Sequence, residues 1–276
     1  MLQTMPNPSS RAAKAPPSDD VAPPNLALLA MEFRAPLEFG AVFAAWPILQ
    51  RAARGDGHHV VVYPGLSASD VTTLPLRKYL DSLGYVTHGW NQGFNFGPRA
   101  GVLDTGKEQL RGIARNSQQP ISLVGWSLGG VYARELAKQL HKEGIPTRCV
   151  ITLGTPFAKG PRSTNAWRLY ELTSGRNVTR ETESYDMPGA PSCPTSSIYS
   201  RTDGVVAWQA SVQAPQAHNL HTENIEVVAS HFGIGLNPSA MWAVADRLAQ
   251  APGYWKPFQK PSLMGLQSLV FPDPAR

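Results

Sequence analysis

The residues best suited to chemistry in this chain are a serine, an aspartate and a histidine, each of which follows a strand-like run. Ser127 lies at the centre of residues 125–129, which read Gly-Trp-Ser-Leu-Gly. A serine hydroxyl becomes a strong nucleophile when a neighbouring base takes its proton, and a Gly-x-Ser-x-Gly turn between a strand and a helix exposes the hydroxyl for that purpose. Gly125 and Gly129 let the turn close without a steric clash. The pattern therefore indicates a nucleophilic serine.

The segments on either side of Ser127 fit such a turn. Residues 121–124 form an apolar run of strand type, and the residues after the turn repeat with helical spacing up to Gly144. The repeated apolar positions are Leu128, Tyr132, Leu136 and Leu140. The alternative is a glycine-rich connection with an incidental serine, which does not require a strand, a turn and a helix in this order.

Asp203 and His231 each follow another predicted strand, at residues 196–200 and 224–229. The carboxyl ends of parallel strands meet at one rim of a sheet, so we expect these side chains to lie together with Ser127. His231 would take the serine proton and return it to the leaving group, because an imidazole titrates near neutral pH. Asp203 would fix the tautomer of the ring and stabilise its cation.

Other acids and histidines fit this arrangement less well. Asp186 lacks a preceding strand, and His218 and His221 come before the last predicted strand instead of after it. Asp203 has an alternative interpretation as a turn former before Gly204. Position in the chain favours Asp203 and the histidine that follows the last strand.

Two backbone N–H groups are predicted to bind a tetrahedral oxyanion. Leu128 would donate from the start of the helix, and Leu66 from the loop that follows a strand at residues 58–63. Gly65 allows close approach of that loop, although an ordinary turn is the alternative there.

Six predicted strands alternate with helical or irregular crossovers, which predicts an α/β fold with a mostly parallel sheet and helices on both faces. The strands are predicted at residues 58–63, 85–90, 121–124, 149–153, 196–200 and 224–229. Helices are predicted at residues 74–83, 103–115, 128 to about 142, and 241–249, the last of which begins after a capping Asn237 and Pro238.

The chain is expected to contain one core domain at residues 26–251. Residues 1–25 are rich in proline, serine and charge, which predicts a disordered leader without a recognised secretory signal. An irregular insertion at about residues 157–194 is expected to form a cap or lid. Residues 252–276 are expected to form a surface strap.

Residues 26–53 are apolar but are interrupted by charges and prolines, among them Glu32, Arg34 and Glu38. This pattern predicts one or two short helices packed on the domain, since the interruptions are too frequent for a membrane span. A membrane-surface helix and a cover over the site are the alternatives.

Aromatic residues near the predicted site are candidates for a substrate pocket: Trp126, Phe94, Phe96 and Trp167. They indicate a substrate with an apolar portion. For the glycine-rich loop at residues 91–101, a loop held down by its own aromatics is the alternative.

Composition argues against several other functions. A net charge of +5 over 276 residues, without a basic cluster, gives no support to nucleic-acid binding.

Cys149 and Cys193 lack metal-ligand spacing and are predicted to be reduced thiols, with a single bridge as the alternative. His58 and His59 would point to opposite faces of a strand and could not easily share a metal ion. We therefore expect that the protein binds no metal. Because no export signal is recognised, we also expect a cytoplasmic location, with peripheral membrane contact as an alternative.

These motifs resemble the α/β-hydrolase fold family, in particular its lipase and esterase branch. The resemblance covers about His58 to Gln250 and rests on residues 125–129, Asp203 and His231 in matching strand contexts. It implies hydrolysis of small-molecule or lipid carboxylic esters through an acyl-enzyme, without a metal or an organic cofactor.

The chain departs from the common lipase pattern at residues 63–65, Tyr-Pro-Gly, where many members have a histidine before the glycine. Because the expected donor is a backbone group, the function does not depend on that side chain. An acyltransferase that uses the same three residues and a catalytically silent binding protein on the same fold are the alternatives.

Overall fold

The sheet predicted from the sequence is present and is fully parallel. The computed structural model describes residues 21–117, 119–159, 161–166, 187–262 and 270–272. Within these residues, six strands pair in the order β2-β1-β3-β4-β5-β6. Their bounds are β1 His59–Tyr63, β2 Val86–His88, β3 Ile121–Trp126, β4 Thr147–Leu153, β5 Thr195–Tyr199 and β6 Thr222–Glu226.

Helices cover both faces of the sheet. Their bounds are α1 Leu26–Ala30, α2 Ala35–Leu49, α3 Asp70–Leu83, α4 Val102–Asn116, α5 Leu128–Lys142 and α6 Pro238–Leu248, and a 3-10 turn at Met31–Arg34 joins the first two. Along β1, Val60 and Val62 pack with α3 and α6 on one face, whereas Val61 and Tyr63 pack with α4 and α5 on the other. A sheet buried on both faces accounts for the continuous apolar runs in its strands.

Two strands end earlier than the sequence predicts, because side chains replace the neighbouring strand as hydrogen-bond partners. Beyond β2, the N–H of Trp90 donates to the carboxylate of Asp70 across 2.8 Å. Beyond β6, the N–H of Ala229 donates to the hydroxyl of Ser200 across 3.1 Å. These bonds release the chain from the sheet and turn it into the loops at its carboxyl rim.

The last helix begins as predicted. The side chain of Asn237 accepts the N–H groups of Ser239 and Ala240 at 2.9 and 3.3 Å, and Pro238 occupies the first turn. This cap fixes the exit of the chain from the loop that contains His231.

The apolar stretch before β1 forms short helices, as expected. α2 lies on the face of the sheet that α3 and α6 cover. Phe33 and Phe43 nevertheless keep 90% and 84% of their surface exposed. In the described part of the chain, no helix has both the length and the apolar character that a membrane crossing requires.

Several sequence predictions fall on residues outside the described ranges. These are most of the leader, most of the insertion at 157–194, and residues 263–269 and 273–276 of the tail, together with Trp167 and Asp186. The leader, the cap and the strap therefore stay predictions. The two described ends of the insertion meet at Arg134 of α5, whose guanidinium lies 3.7 Å from the Phe157 ring centre and donates to the Gly189 carbonyl at 3.0 Å.

Candidate active site

Ser127 lies in a strained turn between β3 and α5. Its φ of 53° and ψ of −123° form a combination that residues with a side chain rarely adopt. A Cβ atom at Gly125 would clash with the backbone of Gly129 and Gly130, and one at Gly129 would clash with the carbonyl of Tyr63. The tight packing of β3, α5 and the end of β1 thus explains the glycines that flank Ser127.

A continuous chain of hydrogen bonds links Ser127, His231 and Asp203. The Nε2 atom of His231 lies 3.0 Å from the Ser127 Oγ, and its Nδ1 atom lies 2.7 Å from Asp203 Oδ2. The other Asp203 oxygen accepts the N–H groups of Val205 and Val206 at 2.8 and 2.7 Å. The Asp203 carboxylate is therefore fixed at one end of this series of hydrogen bonds, and the half-buried Ser127 hydroxyl lies at the other end.

The surroundings of His231 favour its protonated form. Burial by itself lowers the pKa of this histidine, but the charge of Asp203, the hydrogen bond to Asp203 and the charge of Glu32 outweigh burial. The net result is a pKa of His231 above its ordinary value. This is the environment that stabilises an imidazolium during proton transfer.

The two predicted oxyanion donors are chain neighbours of Ser127 and of Gly65, which packs against Ser127. Leu128 is the first residue of α5, and Leu66 follows Gly65, where an added Cβ would lie 3.3 Å from the Ser127 Cβ. In the described part of the chain, neither the Leu66 nor the Leu128 N–H donates to a protein acceptor. An oxyanion donor has to be free in this way, and Leu128 lies in addition at the N-terminus of α5.

The loop that contains Leu66 is held by a buried asparagine that the sequence did not reveal. The side-chain amide of Asn95 donates to the Pro64 carbonyl at 2.8 Å, and its oxygen accepts the Tyr132 hydroxyl at 3.1 Å. The backbone N–H of Asn95 also donates to the Ala68 carbonyl at 2.8 Å. An asparagine in a glycine-rich loop carries no local signal for this role, since its partners come from distant segments.

The aromatic pocket candidates occupy different environments. The indole N–H of Trp126 donates to the backbone carbonyl of His231 at 3.1 Å. Phe94 and Phe96 stack on each other with ring centres 5.9 Å apart and stay 57% and 38% exposed. Trp126 thus supports the loop of His231, while the two phenylalanines present apolar surface to solvent. Their part in substrate binding stays a prediction.

Solved structures with the same architecture include lipase B of Aspergillus fumigatus and EstE1, a thermostable carboxylesterase cloned from a metagenomic library. The chain is 16% identical to lipase B, with a TM-score of 0.57 over 72% of this chain, and it spans 54% of the length of the lipase. It is 14% identical to EstE1, with a TM-score of 0.54 over 73% of this chain and 82% of the carboxylesterase. The chain has the α/β-hydrolase fold. No protein-family model matches its sequence, and neither does any curated protein.

In this α/β-hydrolase fold, the competing histidines have other partners. A ring nitrogen of His218 lies 2.9 Å from the Ala190 carbonyl, and His221 stacks on Trp255. Neither His218 nor His221 shares the bonds that join Ser127 to Asp203.

The two cysteines are free thiols, with Cys149 buried and Cys193 half-buried.

The adjacent histidines at the start of β1, of which His59 is its first residue, diverge as expected for extended chain. His58 lies 2.9 Å from the Ser122 hydroxyl, whereas His59 lies 2.7 Å from a ring nitrogen of His88. Ser122 and His58 are buried, so their contact belongs to the interior of the fold.

The fold also brings the segment before β1 to the site, where the sequence analysis named a cover over the site only as an alternative and predicted none of the contacts. We call residues 24–49 the N-terminal segment, residues 200–206 the Asp203 loop and residues 227–233 the His231 loop. The N-terminal segment hydrogen-bonds to both loops. The signal in the sequence was the three charged residues within an apolar stretch, Glu32, Arg34 and Glu38, which looked only like interruptions.

Proposed function

We propose that this protein is a serine carboxylic-ester hydrolase that acts through an acyl-enzyme. The observation that supports this most strongly is the unbroken path from the Ser127 hydroxyl through His231 to Asp203, with steps of 3.0 and 2.7 Å. Such a path allows an imidazole to remove a hydroxyl proton while a carboxylate compensates the charge that develops.

The reaction then follows from proton accounting. The Ser127 Oγ attacks the ester carbonyl carbon while Nε2 of His231 accepts the hydroxyl proton, and the N–H groups of Leu66 and Leu128 bind the oxyanion. The tetrahedral intermediate collapses, the bond to the alcohol oxygen breaks, and His231 protonates that oxygen. Asp203 stays ionised throughout.

The second half returns the enzyme to its starting state. Water attacks the acyl carbonyl, and His231 takes one of its protons as the new carbon–oxygen bond forms. The second tetrahedral intermediate expels the Ser127 oxygen, which receives the proton back from His231. The products are one carboxylic acid and one alcohol for each water consumed.

The proposed substrates are esters with an acyl chain of medium or longer length. Phe232 follows the proposed base directly, and its ring centre lies 5.9 Å from that of His231. With 53% of its surface exposed, Phe232 presents apolar surface beside the proposed base. An ester substrate is also consistent with the descriptions of two structures of the same fold, which are named as a lipase and a carboxylesterase.

The proposal is tested with p-nitrophenyl esters from acetate to laurate. The wild type is expected to hydrolyse them, and Ser127→Ala is expected to lower kcat roughly 10⁴-fold or more. Ser82→Ala, at an exposed position of α3, is the matched control and should keep wild-type activity. A folded wild type that cleaves none of the esters, or a Ser127→Ala variant with wild-type rates, would refute the proposal.

A further inference from the structure

Glu32, in the N-terminal segment, is a buried carboxylate that binds backbone N–H groups of both loops of the site. One oxygen accepts from Gly204 at 2.7 Å and from His231 at 2.9 Å, and the other accepts from Phe232 at 3.0 Å. Gly204 directly follows Asp203. The carboxylate therefore bonds to the residue after the proposed acid and to the proposed base itself.

These three bonds add to the contacts that already join the two loops. β5 and β6 are neighbours in the sheet, and beyond them the Ala229 N–H donates to the Ser200 hydroxyl and the Thr202 hydroxyl donates to the Ala229 carbonyl, both at 3.1 Å. The bonds of Glu32 lie further along both loops, at the proposed acid and base. Hydrogen bonds from N–H groups to a carboxylate are charge-assisted and are about twice as strong as neutral ones. Within the described residues Glu32 has no cationic partner, so its charge rests on these backbone groups.

A second bridge runs parallel to the first. Arg34 donates to the Thr202 carbonyl at 2.9 Å, and Glu38 accepts the N–H of Ser230 at 2.8 Å. Arg34 and Glu38 are themselves an ion pair at 3.0 Å. Because these two charges compensate each other, they contribute less net charge at the site than Glu32 does.

Close packing keeps the N-terminal segment against the Asp203 loop. A Cβ atom at Gly204 would clash with the carbonyl of Leu28. Asn165 joins the same two parts, since its side-chain amide donates to the carbonyls of Pro24 and Gly204 at 3.0 and 2.8 Å. The contact of Glu32 with Gly204 is thus part of a tight interface.

Within the described residues, the charged groups that contact His231 or the backbone beside it come from two parts of the chain. Asp203 contacts the His231 ring from the Asp203 loop. Glu32, Arg34 and Glu38 belong to the N-terminal segment. The charges of Asp203 and Glu32 both favour the imidazolium. Loss of the Glu32 charge should therefore make His231 harder to protonate.

From these contacts we propose that Glu32 is a positioning residue, which fixes the Asp203 loop and the His231 loop relative to each other and supports the charge of the imidazolium. The inference rests on the proposed function, because it assigns Glu32 a task in the activation of Ser127. Glu32 bonds to the backbone of His231 and does not touch the reacting atoms, so it acts through the histidine.

The experiment measures the second-order rate constant for inactivation by a fluorophosphonate as a function of pH, together with thermal unfolding. Glu32→Gln removes the charge and places an amide against the N–H of Phe232, so the rate should fall about 10- to 100-fold through misplacement of the loops. The midpoint of the acid limb should also move to lower pH. Glu32→Asp keeps the charge but shortens the side chain, so the rate should fall while the midpoint stays near that of the wild type.

Glu223→Gln is the matched control. Glu223 is a carboxylate of β6 with a side chain 10% exposed, and it accepts the Phe258 N–H at 2.7 Å. It pairs in register with Ser196 near the start of β5, at the opposite end of the sheet from the site. Its substitution should lower stability but leave the inactivation rate and its pH midpoint unchanged.

The outcomes separate the two proposals. A wild type that does not react with the fluorophosphonate refutes the proposed function. If the wild type reacts but Glu32→Gln has the same rate and the same pH midpoint as the wild type, the role of Glu32 is overturned while the proposed function stands. The same conclusion follows if Glu32→Gln reacts more slowly but its pH midpoint is unchanged. If Glu32→Gln does not fold, a wild-type rate in Glu32→Asp has the same consequence.

Discussion

The indole N–H of Trp126 donates to the backbone carbonyl of His231 across 3.1 Å. The residue before the proposed nucleophile therefore holds the backbone of the proposed base. A single rigid ring on β3 thus links the end of the central strand to the His231 loop, which lies 105 residues further along the chain.

Trp126→Phe removes this hydrogen bond and keeps most of the apolar ring. We expect kcat to fall about 10-fold with little change in KM, because a small displacement of His231 weakens proton transfer more than binding. Steady-state kinetics with a p-nitrophenyl ester measure this split. Trp255→Phe is the control, since Trp255 stacks on His221 away from the site. Equal losses in both variants would contradict the role of the Trp126 bond.

Asp203→Asn should lower kcat about 10³- to 10⁴-fold, because the amide no longer fixes the correct tautomer or compensates the imidazolium. It should also lower the pKa of His231, since the charge of Asp203 contributes to raising that pKa. The residual activity of Asp203→Asn should therefore persist to lower pH than the wild-type activity. The pH dependence of kcat/KM measures both effects, and an acid limb that moves to higher pH would contradict the assignment.

The raised pKa of His231 also affects stability. A group that binds its proton more tightly in the folded state stabilises the fold below its unfolded pKa, about 6.5 for histidine. That contribution is lost as the pH rises through the folded value. The unfolding free energy of the wild type, relative to that of His231→Gln, should therefore be higher at pH 6 than at pH 9. Urea denaturation at the two pH values measures it, and an opposite trend would be inconsistent with a raised pKa.

Asn95→Ala should lower both activity and stability. It removes the donor to the Pro64 carbonyl and leaves the hydroxyl of Tyr132 without that acceptor, at a cost of about 1–3 kcal/mol in unfolding free energy. We expect kcat to fall about 10-fold, because the loop that contains Leu66 is less well ordered. Ester kinetics and urea denaturation measure the two effects.

Asn219→Ala is the control for this change. Asn219 is a buried asparagine that donates to the carbonyls of Pro191 and Cys193, both at 2.7 Å, before β6. Its substitution should lower stability by a similar amount with little loss of kcat. If Asn95→Ala retained the wild-type kcat, the Pro64 contact would have no role in the reaction.

The sequence predicted the parts of the fold that depend on local pattern. The strands, the turn at Ser127 and the cap at Asn237 each follow from a few neighbouring residues, and the positions of Asp203 and His231 follow from the rule that parallel strands end at one rim. The architecture is confirmed by the parallel sheet and by the structures that share it.

The contacts of Glu32 could not be predicted in this way. Glu32 and Gly204 are 172 residues apart, and their hydrogen bond depends on the path by which the N-terminal segment returns to the rim of the sheet. The same holds for Asn95 and Pro64, which meet only when two loops fold over each other. The early ends of β2 and β6 likewise depend on side-chain acceptors that strand propensity does not describe.

The most direct test of the central claim is the site at which a fluorophosphonate binds covalently, read by intact mass and peptide mapping. The account predicts a single adduct on Ser127, no adduct in Ser127→Ala, and much slower labelling in His231→Gln. An adduct on another residue, or equal labelling of the wild type and Ser127→Ala, would contradict it.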